Sequence, residues 1–292
     1  MSGTLYVVGT PIGNLSDLSP RAVETLGAVD FIAAEDTRVT LRLLNHFSIK
    51  KPLVSYHDHN LRERGLAIIR RIRDGESCAV VSDAGMPCIS DPGEDLVRLA
   101  AEAGIPTFVI PGPSAAVSAL CLSGLPTSRF CFEGFLSTNR RNRQLHLESL
   151  KNDPHTLIFY EAPHKLTNTL QDLLAAFGNR RIALARELTK VHEEVLRTDL
   201  AGAAAHFAET PPRGEFVLIV EGAPAGAGKE QPSLEEAVAA ARELVLSGLK
   251  PTEAARLIAA DTGYKKSEIY AGLISERPAS AEGEQGYSNL TS

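Results

Sequence analysis

Four short apolar segments in the first 112 residues are each followed at once by a cluster rich in glycine and proline, in charged residues, or in both. The segments lie at Leu5–Val8, Phe31–Ala34, Cys78–Val81 and Thr107–Ile110. Amphipathic helical patterns, such as residues 39–47, 58–74 and 94–103, occupy the stretches between them. Strands that alternate with helices indicate parallel βαβ units, and strands that are apolar throughout are typical of a sheet covered by helices on both faces. The first region is therefore predicted to be an α/β domain.

The clusters that follow these segments predict a ligand site. They span residues 9–14, 35–38, 82–87 and 111–115. Each begins where a predicted parallel strand ends, and open α/β sheets bind their ligands at that edge. Glycine and proline there let the backbone approach a ligand closely, and the Asp83 carboxylate could accept hydrogen bonds from hydroxyl groups. Any βα loop needs turn residues, so one cluster would be weak support, whereas four together indicate a site.

The remainder of the chain predicts three further segments and a tail. Residues 113–222 mix five candidate strands with three helices, which indicates a second α/β domain. A glycine- and alanine-rich linker at 223–232 precedes three short helices at 233–275 that resemble a helix-turn-helix. The polar residues 276–292 are expected to form a disordered tail. The predicted architecture is thus two α/β domains, 1–112 and 113–222, with a small helical C-terminal domain.

Composition excludes several classes of protein. The 292 residues carry a formal net charge of −6, so the chain is not a basic nucleic-acid-binding protein overall, and any RNA contact must come from a local patch. No apolar run approaches the roughly 20 residues of a membrane span, and from the residues before the first strand we expect no signal peptide. The spacing of the four cysteines fits no zinc or redox motif. We therefore expect a cytoplasmic protein with no membrane partner and no metal.

The motifs taken alone narrow the ligand only to a chemical class. The first cluster has Pro11 where a dinucleotide-binding fold needs its second glycine. The chain has no nucleophile elbow of the G-x-S-x-G type and no H-E-x-x-H zinc motif. These residues therefore indicate a small polar, nucleoside-like ligand in an α/β cleft.

Many motifs, taken in chain order, resemble the tetrapyrrole-methylase superfamily, and more closely its ribosomal RNA small-subunit methyltransferase I branch. They are residues 3–14, 35–38, 56–60, 82–87, 89–93, 111–115, 133–136, 160–164, 187–190 and 214–215. The resemblance covers nearly all of residues 3–275. The motif after the first strand differs from the Gly-x-Gly-Pro-Gly-Asp of tetrapyrrole C-methylases, which argues against a tetrapyrrole substrate.

The resemblance implies a fold, a reaction and partners. The fold would be that of a class III methyltransferase, with S-adenosylmethionine (SAM) bound in the cleft between the two α/β domains. The reaction would be methyl transfer to the ribose 2′-hydroxyl of a cytidine in the decoding region of 16S rRNA. The partners would be the small ribosomal subunit and a second copy of the chain in a homodimer.

The same resemblance implies which residues line the SAM pocket: Thr10, Pro11, Asp83, Gly85, Met86, Ile89, Ser114, Ala115, Tyr160 and Leu188. Methyl transfer to a hydroxyl depends mainly on positioning, but a nearby base or cation should help the hydroxyl lose its proton. The candidates are Glu133, Glu161, Glu187 and Lys190, each of which could equally be a surface salt-bridge partner. Arg38, Arg140, Arg141 and Arg143 are candidates for RNA phosphate binding, with a solvated helix face as the alternative.

Two other functions stay open from the sequence. A methyltransferase acting on a small, tetrapyrrole-like molecule would turn over without RNA and would leave residues 233–275 without a role. A regulator that binds nucleic acid through those helices would show no turnover. That segment carries six acidic and five basic residues, whereas DNA-reading modules are usually clearly basic, so the regulator is the weaker alternative.

Overall fold

The computed structural model of the chain describes residues 3–57, 61–224 and 232–275. It divides the chain into one unit through residue 225 and a second from residue 226 onward. Most of the predicted linker, residues 225–231, and all of the predicted tail lie outside the described residues. The first unit contains two five-stranded sheets, and the second contains three helices.

The first sheet is parallel throughout. Its strands are β1 (Leu5–Val8), β2 (Phe31–Ala34), β3 (Leu53–Ser55), β4 (Cys78–Val81) and β5 (Thr107–Ile110). Their order is β3-β2-β4-β1-β5, with every neighbouring pair parallel. The four strands that precede the glycine- and proline-rich clusters therefore lie side by side, and their carboxyl ends form one continuous edge.

Helices cover both faces of this sheet because successive strand residues point to opposite sides. The helices are α1 (Pro20–Ala28), α2 (Thr37–His46), α3 (Leu61–Arg73) and α4 (Glu94–Glu102). Phe31 and Val80 pack in one buried cluster with residues of α3 and α4. Ile32 and Val81 pack in another with residues of α1 and α2. The α/β prediction for this region is confirmed.

Strand β5 departs from the prediction that each strand is covered on both faces. Thr107, Phe108 and Val109 are exposed, and of this strand only Ile110 is buried. The strand lies at the end of the sheet, where it has a neighbour on one side only. An apolar strand sequence is therefore compatible here with an exposed face as well as with double coverage.

The second sheet is mixed. Its elements are α5 (Ala115–Ser123), β6 (Phe130–Phe135), α6 (Arg140–Leu150), β7 (Thr156–Glu161), α7 (Pro163–Phe177), β8 (Arg181–Arg186), β9 (Glu194–Asp199), α8 (Leu200–Glu209) and β10 (Phe216–Val220). The strand order is β6-β7-β10-β8-β9. Strands β6 and β7 are parallel, and the other pairs are antiparallel.

Two apolar clusters also cover the second sheet. Leu147, Leu170 and Phe207, from α6, α7 and α8, pack on one face. Helix α5 packs through Leu120 on the other, and Ile12 from the loop after β1 joins that cluster. The two sheets therefore share packing within one unit, and the domain boundary at residue 112 stays a prediction.

The second unit consists of α9 (Leu234–Leu246), α10 (Pro251–Thr262) and α11 (Lys266–Ser275). A capping box between Ser233 and Glu236 starts α9. The buried residues Val238, Ala254 and Ile269 join the three helices, which confirms the predicted helices of this segment. Among the described residues, no helix combines the length and apolarity needed to cross a membrane.

Candidate active site

The loops after β1, β4 and β5 pack directly on one another at the carboxyl edge of the first sheet. The backbone N–H of Thr10 donates to the Gly85 carbonyl at 2.9 Å, and the Gly85 N–H donates back at 3.2 Å. A Cβ atom added to Gly9 would lie 2.7 Å from the Gly112 Cα. Only a residue without a side chain fits this contact, so loop-to-loop packing requires glycine at positions 9 and 112.

A cavity of about 440 Å³, here called the cleft, lies where these loops meet the second sheet. Its volume falls within the range of about 300 to 1,000 Å³ that small-molecule sites occupy. Eight residues predicted to bind SAM line it: Asp83, Gly85, Met86, Ile89, Ser114, Ala115, Tyr160 and Leu188. The structure therefore brings together residues more than 100 positions apart in the chain at one cavity.

The other two predicted SAM residues, Thr10 and Pro11, line a smaller cavity of about 240 Å³, here called the α2 cavity. Its lining is completed by Leu15, Val39, Thr40, Arg42, Leu43, Ser82 and Asp83. Thr10 and Pro11 are buried, and the Thr10 hydroxyl donates to the Ser82 carbonyl at 3.2 Å. Asp83 is shared by the two cavities, so the assignment of Thr10 and Pro11 to SAM stays a prediction.

Asp83 connects the loops that follow β2 and β4. Its Oδ1 atom accepts a hydrogen bond from the Asp36 N–H at 3.0 Å, and its own N–H donates to a Glu35 carboxylate oxygen at 3.3 Å. Partial removal from water raises the pKa of the Asp83 carboxyl group, with the nearby Asp36 charge acting in the same direction. Its carboxylate is therefore less well solvated than that of an ordinary surface aspartate, which favours a cationic or hydroxyl-bearing ligand beside it.

Tyr160 connects the second sheet to helix α5. Its hydroxyl oxygen accepts a hydrogen bond from the Ala116 N–H at 3.2 Å, in the first turn of that helix. The ring packs edge-on against Phe132 and Phe135. Burial raises the pKa of Tyr160, so the hydroxyl stays protonated at neutral pH. Ser114 caps the same helix by accepting from the Val117 N–H.

Lys190 lines the cleft and is held by two carboxylates. Its Nζ donates to Glu187 Oε1 and to Glu215 Oε2, both at 2.9 Å. Burial opposes its charge, but the hydrogen bonds to Glu215 and Glu187 raise its pKa overall. An ammonium has three donors, which leaves one for a ligand in the cleft.

Glu187 lies behind Lys190 and does not line the cleft. Hydrogen bonds from the Glu215 N–H and from Lys190 lower its pKa, so it stays ionised. A Cβ atom on Gly214 would lie 2.5 Å from the Glu187 Cγ, and the φ of Gly214 is +80°. Glycine at 214 therefore lets the carboxylate of Glu187 come close enough to fix Lys190.

The remaining two carboxylate candidates differ in position. Glu161 lines the cleft but is 96% buried, and its two oxygens accept from the Ala162 N–H at 2.8 Å and the Thr169 hydroxyl at 2.6 Å. Glu133 does not line the cleft and lies 2.8 Å from the His146 ring nitrogen. The geometry therefore brings Lys190 and Glu161 to the cleft and leaves Glu133 and Glu187 outside it.

The four arginines predicted to bind RNA have different surroundings. Arg140 and Arg141 are exposed in the first turn of α6. Arg143 on the same helix forms a partly buried ion pair with Asp172 at 2.7 Å. Arg38, at the start of α2, is exposed and forms a two-pronged ion pair with Asp36. That pair holds the pKa of Asp36 far below its usual range.

The charge of the side chains that line the cleft suits SAM, the methyl donor that the sequence resemblance implies. Within the described chain the lining contributes one ammonium, from Lys190, and five carboxylates: Glu35, Asp83, Asp91, Glu161 and Glu215. An excess of carboxylates favours a cationic ligand, and SAM carries a sulfonium and an ammonium group. Exposed apolar side chains at the rim, Ile89 and Phe135, offer surface for a nucleoside ring.

Several of these lining residues were not among the predicted site residues. They are Glu35, Asp91, Phe135 and Glu215. All four belong to motifs that carry the family resemblance, but no local pattern indicated that their side chains line one cavity. For Glu215 the signal was available in its position between Gly214 and the apolar segment that forms the buried strand β10.

Three side chains of metal-ligating type lie together on the second sheet: Cys131, Asp153 and His155, with their ligand atoms within 4.8 Å of one another. Hydrogen bonds account for this proximity. Asp153 Oδ1 lies 2.8 Å from the His155 N–H and 2.6 Å from its ring nitrogen, and the Cys131 thiol approaches Oδ2 at 3.7 Å. The cluster therefore carries no inference about a metal.

A cleft between a parallel and a mixed sheet, lined by loops at strand ends, defines a class of ligand-binding α/β proteins, and comparisons place the chain within it. Residues 4–204 match the family model of tetrapyrrole (corrin/porphyrin) methylases. The structure of uroporphyrin-III-C-methyltransferase from Thermus thermophilus is similar, with a TM-score of 0.54 and 22% identity, covering 74% of this chain and 94% of that one. Diphthine synthase has a TM-score of 0.57 at 15% identity, covering 75% and 90%. Both structures support the fold.

Sequence relatives are more specific. The ribosomal RNA small subunit methyltransferase I of a Synechocystis species is 48% identical over 271 residues, covering 92% of this chain and 96% of that protein. The protein of the same name from Haemophilus influenzae is 45% identical over 273 residues, again covering 92% and 96%. The chain therefore belongs to the tetrapyrrole methylase family and, within it, to the ribosomal RNA small subunit methyltransferase I group.

Proposed function

We propose that the protein transfers a methyl group from SAM to the RNA of the small ribosomal subunit. The observation that carries the proposal is the cleft, where the glycine-rich loops of the first sheet face the carboxylates and Lys190 of the second. The names of the relatives supply the acceptor class, ribosomal RNA of the small subunit.

The residues of the cleft fit SAM in three respects. Its carboxylates, including Asp83, would face the cationic groups of SAM. The backbone at Gly85 and Ala115 offers close approach, because Gly85 has a φ of +93° and Ala115 begins a helix whose first N–H groups favour a carboxylate. Ile89 and Leu188 offer apolar walls. Bound there, SAM supplies a methyl group already activated on sulfur.

The acceptor in this proposal is the 2′-hydroxyl of a cytidine ribose. The oxygen–methyl bond forms as the sulfur–methyl bond of SAM breaks, and the hydroxyl proton is released to water. Because such a hydroxyl is a very weak acid, the protein must stabilise the negative charge that develops on its oxygen. Lys190 is suited to that role, because its ammonium is held toward the cleft by Glu187 and Glu215 and keeps one donor for the acceptor oxygen. Glu161 is suited to orienting the methyl donor, since hydrogen bonds from the Ala162 N–H and the Thr169 hydroxyl already hold its oxygens in place.

The RNA-binding surface of this proposal is the start of helix α6. Arg140 and Arg141 lie in its first turn, where the helix dipole disfavours cations, and they are exposed without an ion pair among the described residues. A site that disfavours cations but carries two of them is suited to bind phosphate. Arg38 adds a third exposed guanidinium at the start of α2.

The proposal includes a homodimer in the cytoplasm. Support for the dimer comes from strand β5, an edge strand on which Phe108 and Val109 are each 56% exposed, with Val117 of α5 50% exposed. Exposed apolar surface at a sheet edge is typical of an interface. Light scattering should give twice the mass of the chain, and Phe108→Glu should give the monomer. The cytoplasm follows from an acceptor that is ribosomal RNA.

Labelled methyl transfer tests the function directly. Small subunits from cells that lack this gene are incubated with the protein and methyl-labelled SAM, and the RNA is digested and mapped by mass spectrometry. We expect label on one ribose of the 16S rRNA. Label on a tetrapyrrole precursor run in parallel, or SAM binding with no label on RNA, would contradict the proposal.

A further inference from the structure

The α2 cavity is separate from the cleft but adjoins it at Asp83, which lines both. Its volume of about 240 Å³ is below the range of about 300 to 1,000 Å³ that sites for drug-sized ligands occupy. It is therefore suited to a fragment the size of one nucleobase. Its position makes it accessible to a substrate whose reacting group is in the cleft.

The lining of the α2 cavity combines apolar walls with a cation. Leu15 is 41% exposed, and Val39 and Leu43 present half-buried apolar surface from one face of α2. Arg42, one position before Leu43, is exposed and forms no ion pair among the described residues; its Nε donates only to the Arg38 carbonyl at 3.4 Å. Apolar walls next to a guanidinium fit a nucleobase and the phosphate attached to it.

Thr40 supplies an independent observation. The residue is 98% buried and lines the cavity, yet within the described part of the chain its hydroxyl oxygen has no hydrogen-bond partner. Buried polar groups are nearly always paired, and an unpaired one costs about 1–3 kcal/mol. A ligand in the α2 cavity that forms a hydrogen bond with the Thr40 hydroxyl would explain why this residue is present despite that cost.

We propose that the α2 cavity holds one unpaired base of the RNA substrate, with Thr40 hydrogen-bonding the base edge and Arg42 contacting the adjoining phosphate. The proposal rests on the proposed function, because it assigns a subsite to the same RNA. Proteins that read RNA sequence take single-stranded bases out of the stack and contact their edges. The α2 cavity would thus select the substrate while the cleft performs the transfer.

Two substitutions on α2 test this. Thr40→Val keeps the shape of the side chain and removes the hydroxyl, so we expect an unchanged or higher melting temperature and a three- to tenfold lower kcat/KM for small subunits, about the worth of one hydrogen bond. Val39→Phe fills the cavity and should lower kcat/KM at least about tenfold, equivalent to about 1.4 kcal/mol. Leu41→Phe is the matched control, since Leu41 is 49% exposed on the same helix and does not line the cavity.

Calorimetry with SAM alone distinguishes the possible results. The proposal expects the same SAM affinity in all three variants and in the natural protein. If Thr40→Val and Val39→Phe methylate subunits as efficiently as Leu41→Phe, or if they lose SAM affinity, the α2 cavity is not an RNA subsite. If the natural protein binds SAM but labels no RNA, it is the proposed function that fails.

Discussion

The two sides of the cleft are lined by different parts of the polypeptide. On the first-sheet side the lining is loop backbone and short side chains such as Gly85, Ser114 and Ala115, whereas on the second-sheet side it is long side chains such as Tyr160 and Lys190. The difference follows from strand direction. All carboxyl ends of a parallel sheet lie at one edge, so its loops converge there whatever their distance in sequence.

The mixed sheet reaches the cleft in another way. Its strand β10 is antiparallel to β7 and β8, and Phe216 at its start pairs with Glu161 and Arg186 at their ends. The end of one strand therefore lies beside the start of another, and Glu161 at the end of β7, Lys190 after β8 and Glu215 before β10 line the same cleft. Of the described lining, the backbone side holds the carboxylates of Glu35, Asp83 and Asp91, and the side-chain side holds those of Glu161 and Glu215 together with the ammonium of Lys190.

The largest expected effect tests the backbone side. Asp83→Ala should lower SAM affinity by at least about 100-fold, equivalent to about 2.7 kcal/mol, because the carboxylate that follows β4 most directly in the cleft lining is lost. Asp83→Asn keeps an oxygen for the Asp36 N–H and should lose nearly as much affinity. Asp74→Ala, on an exposed residue after α3, is the control. If calorimetry finds that Asp83→Asn binds SAM as tightly as the natural protein does, the negative charge of Asp83 does not contribute to SAM binding.

The natural protein and Asp83→Asn should also differ in how their SAM affinity depends on pH. The pKa of Asp83 is raised, so its carboxylate takes up a proton at a higher pH than an ordinary aspartate does. SAM affinity of the natural protein should therefore decline as the pH falls through that raised value. In Asp83→Asn this decline should be absent, because the amide does not titrate.

The next effect tests the side-chain side. Lys190→Met should lower kcat by about 100-fold or more, the usual cost of removing one group that stabilises developing charge, and should leave SAM affinity within a few fold. Lys190→Arg should recover part of the rate. Lys151→Met, which removes an exposed lysine paired with Glu148, is the control. A loss of SAM affinity with kcat unchanged would instead make Lys190 a donor-binding residue.

The contrast between the two sides also explains what the sequence could predict. The parallel sheet and the glycine-containing loops that follow its strands were predictable, because strand–helix alternation and turn residues are local patterns. The close approach of Gly9 and Gly112 is a consequence of these patterns, because both residues follow parallel strands that end at the same edge of the sheet. The exposure of β5 was not predictable, since an apolar edge strand that lacks a covering face has the same sequence pattern as a buried one.

The side-chain half of the cleft depends on non-local geometry. Lys190 and Glu161 were candidates for chemical reasons, but so were Glu133 and Glu187, and nothing local distinguishes them. The difference arises from the left-handed backbone at Glu187 (φ 51°) and Thr189 (φ 65°), which turns Lys190 toward the cleft. Neither residue type predicts such a conformation.

A stability effect of intermediate size tests the loop packing on the backbone side. Gly9→Ala should lower the free energy of unfolding by about 1–3 kcal/mol, the usual cost of overpacking, because the new methyl group would lie 2.7 Å from Gly112 Cα. Gly27→Ala is the matched control. It lies exposed inside α1 with no atom within 4 Å of the added carbon, so we expect a gain of about 0.5–1 kcal/mol. Equal urea midpoints for the two variants would contradict the packing argument.

The smallest expected effect concerns the RNA surface outside both sides of the cleft. Replacing Arg140 and Arg141 by glutamine should weaken RNA binding and lower the slope of log affinity against log salt by about 1.4 to 1.8, the value for two phosphates. Arg143→Gln should leave that slope unchanged, because Arg143 is already paired with Asp172, and should cost at most about 1 kcal/mol of stability. Filter binding across a salt series separates the two variants. If Arg143→Gln changes the slope as much as the double variant does, the whole helix face binds RNA and the ion pair with Asp172 opens on binding.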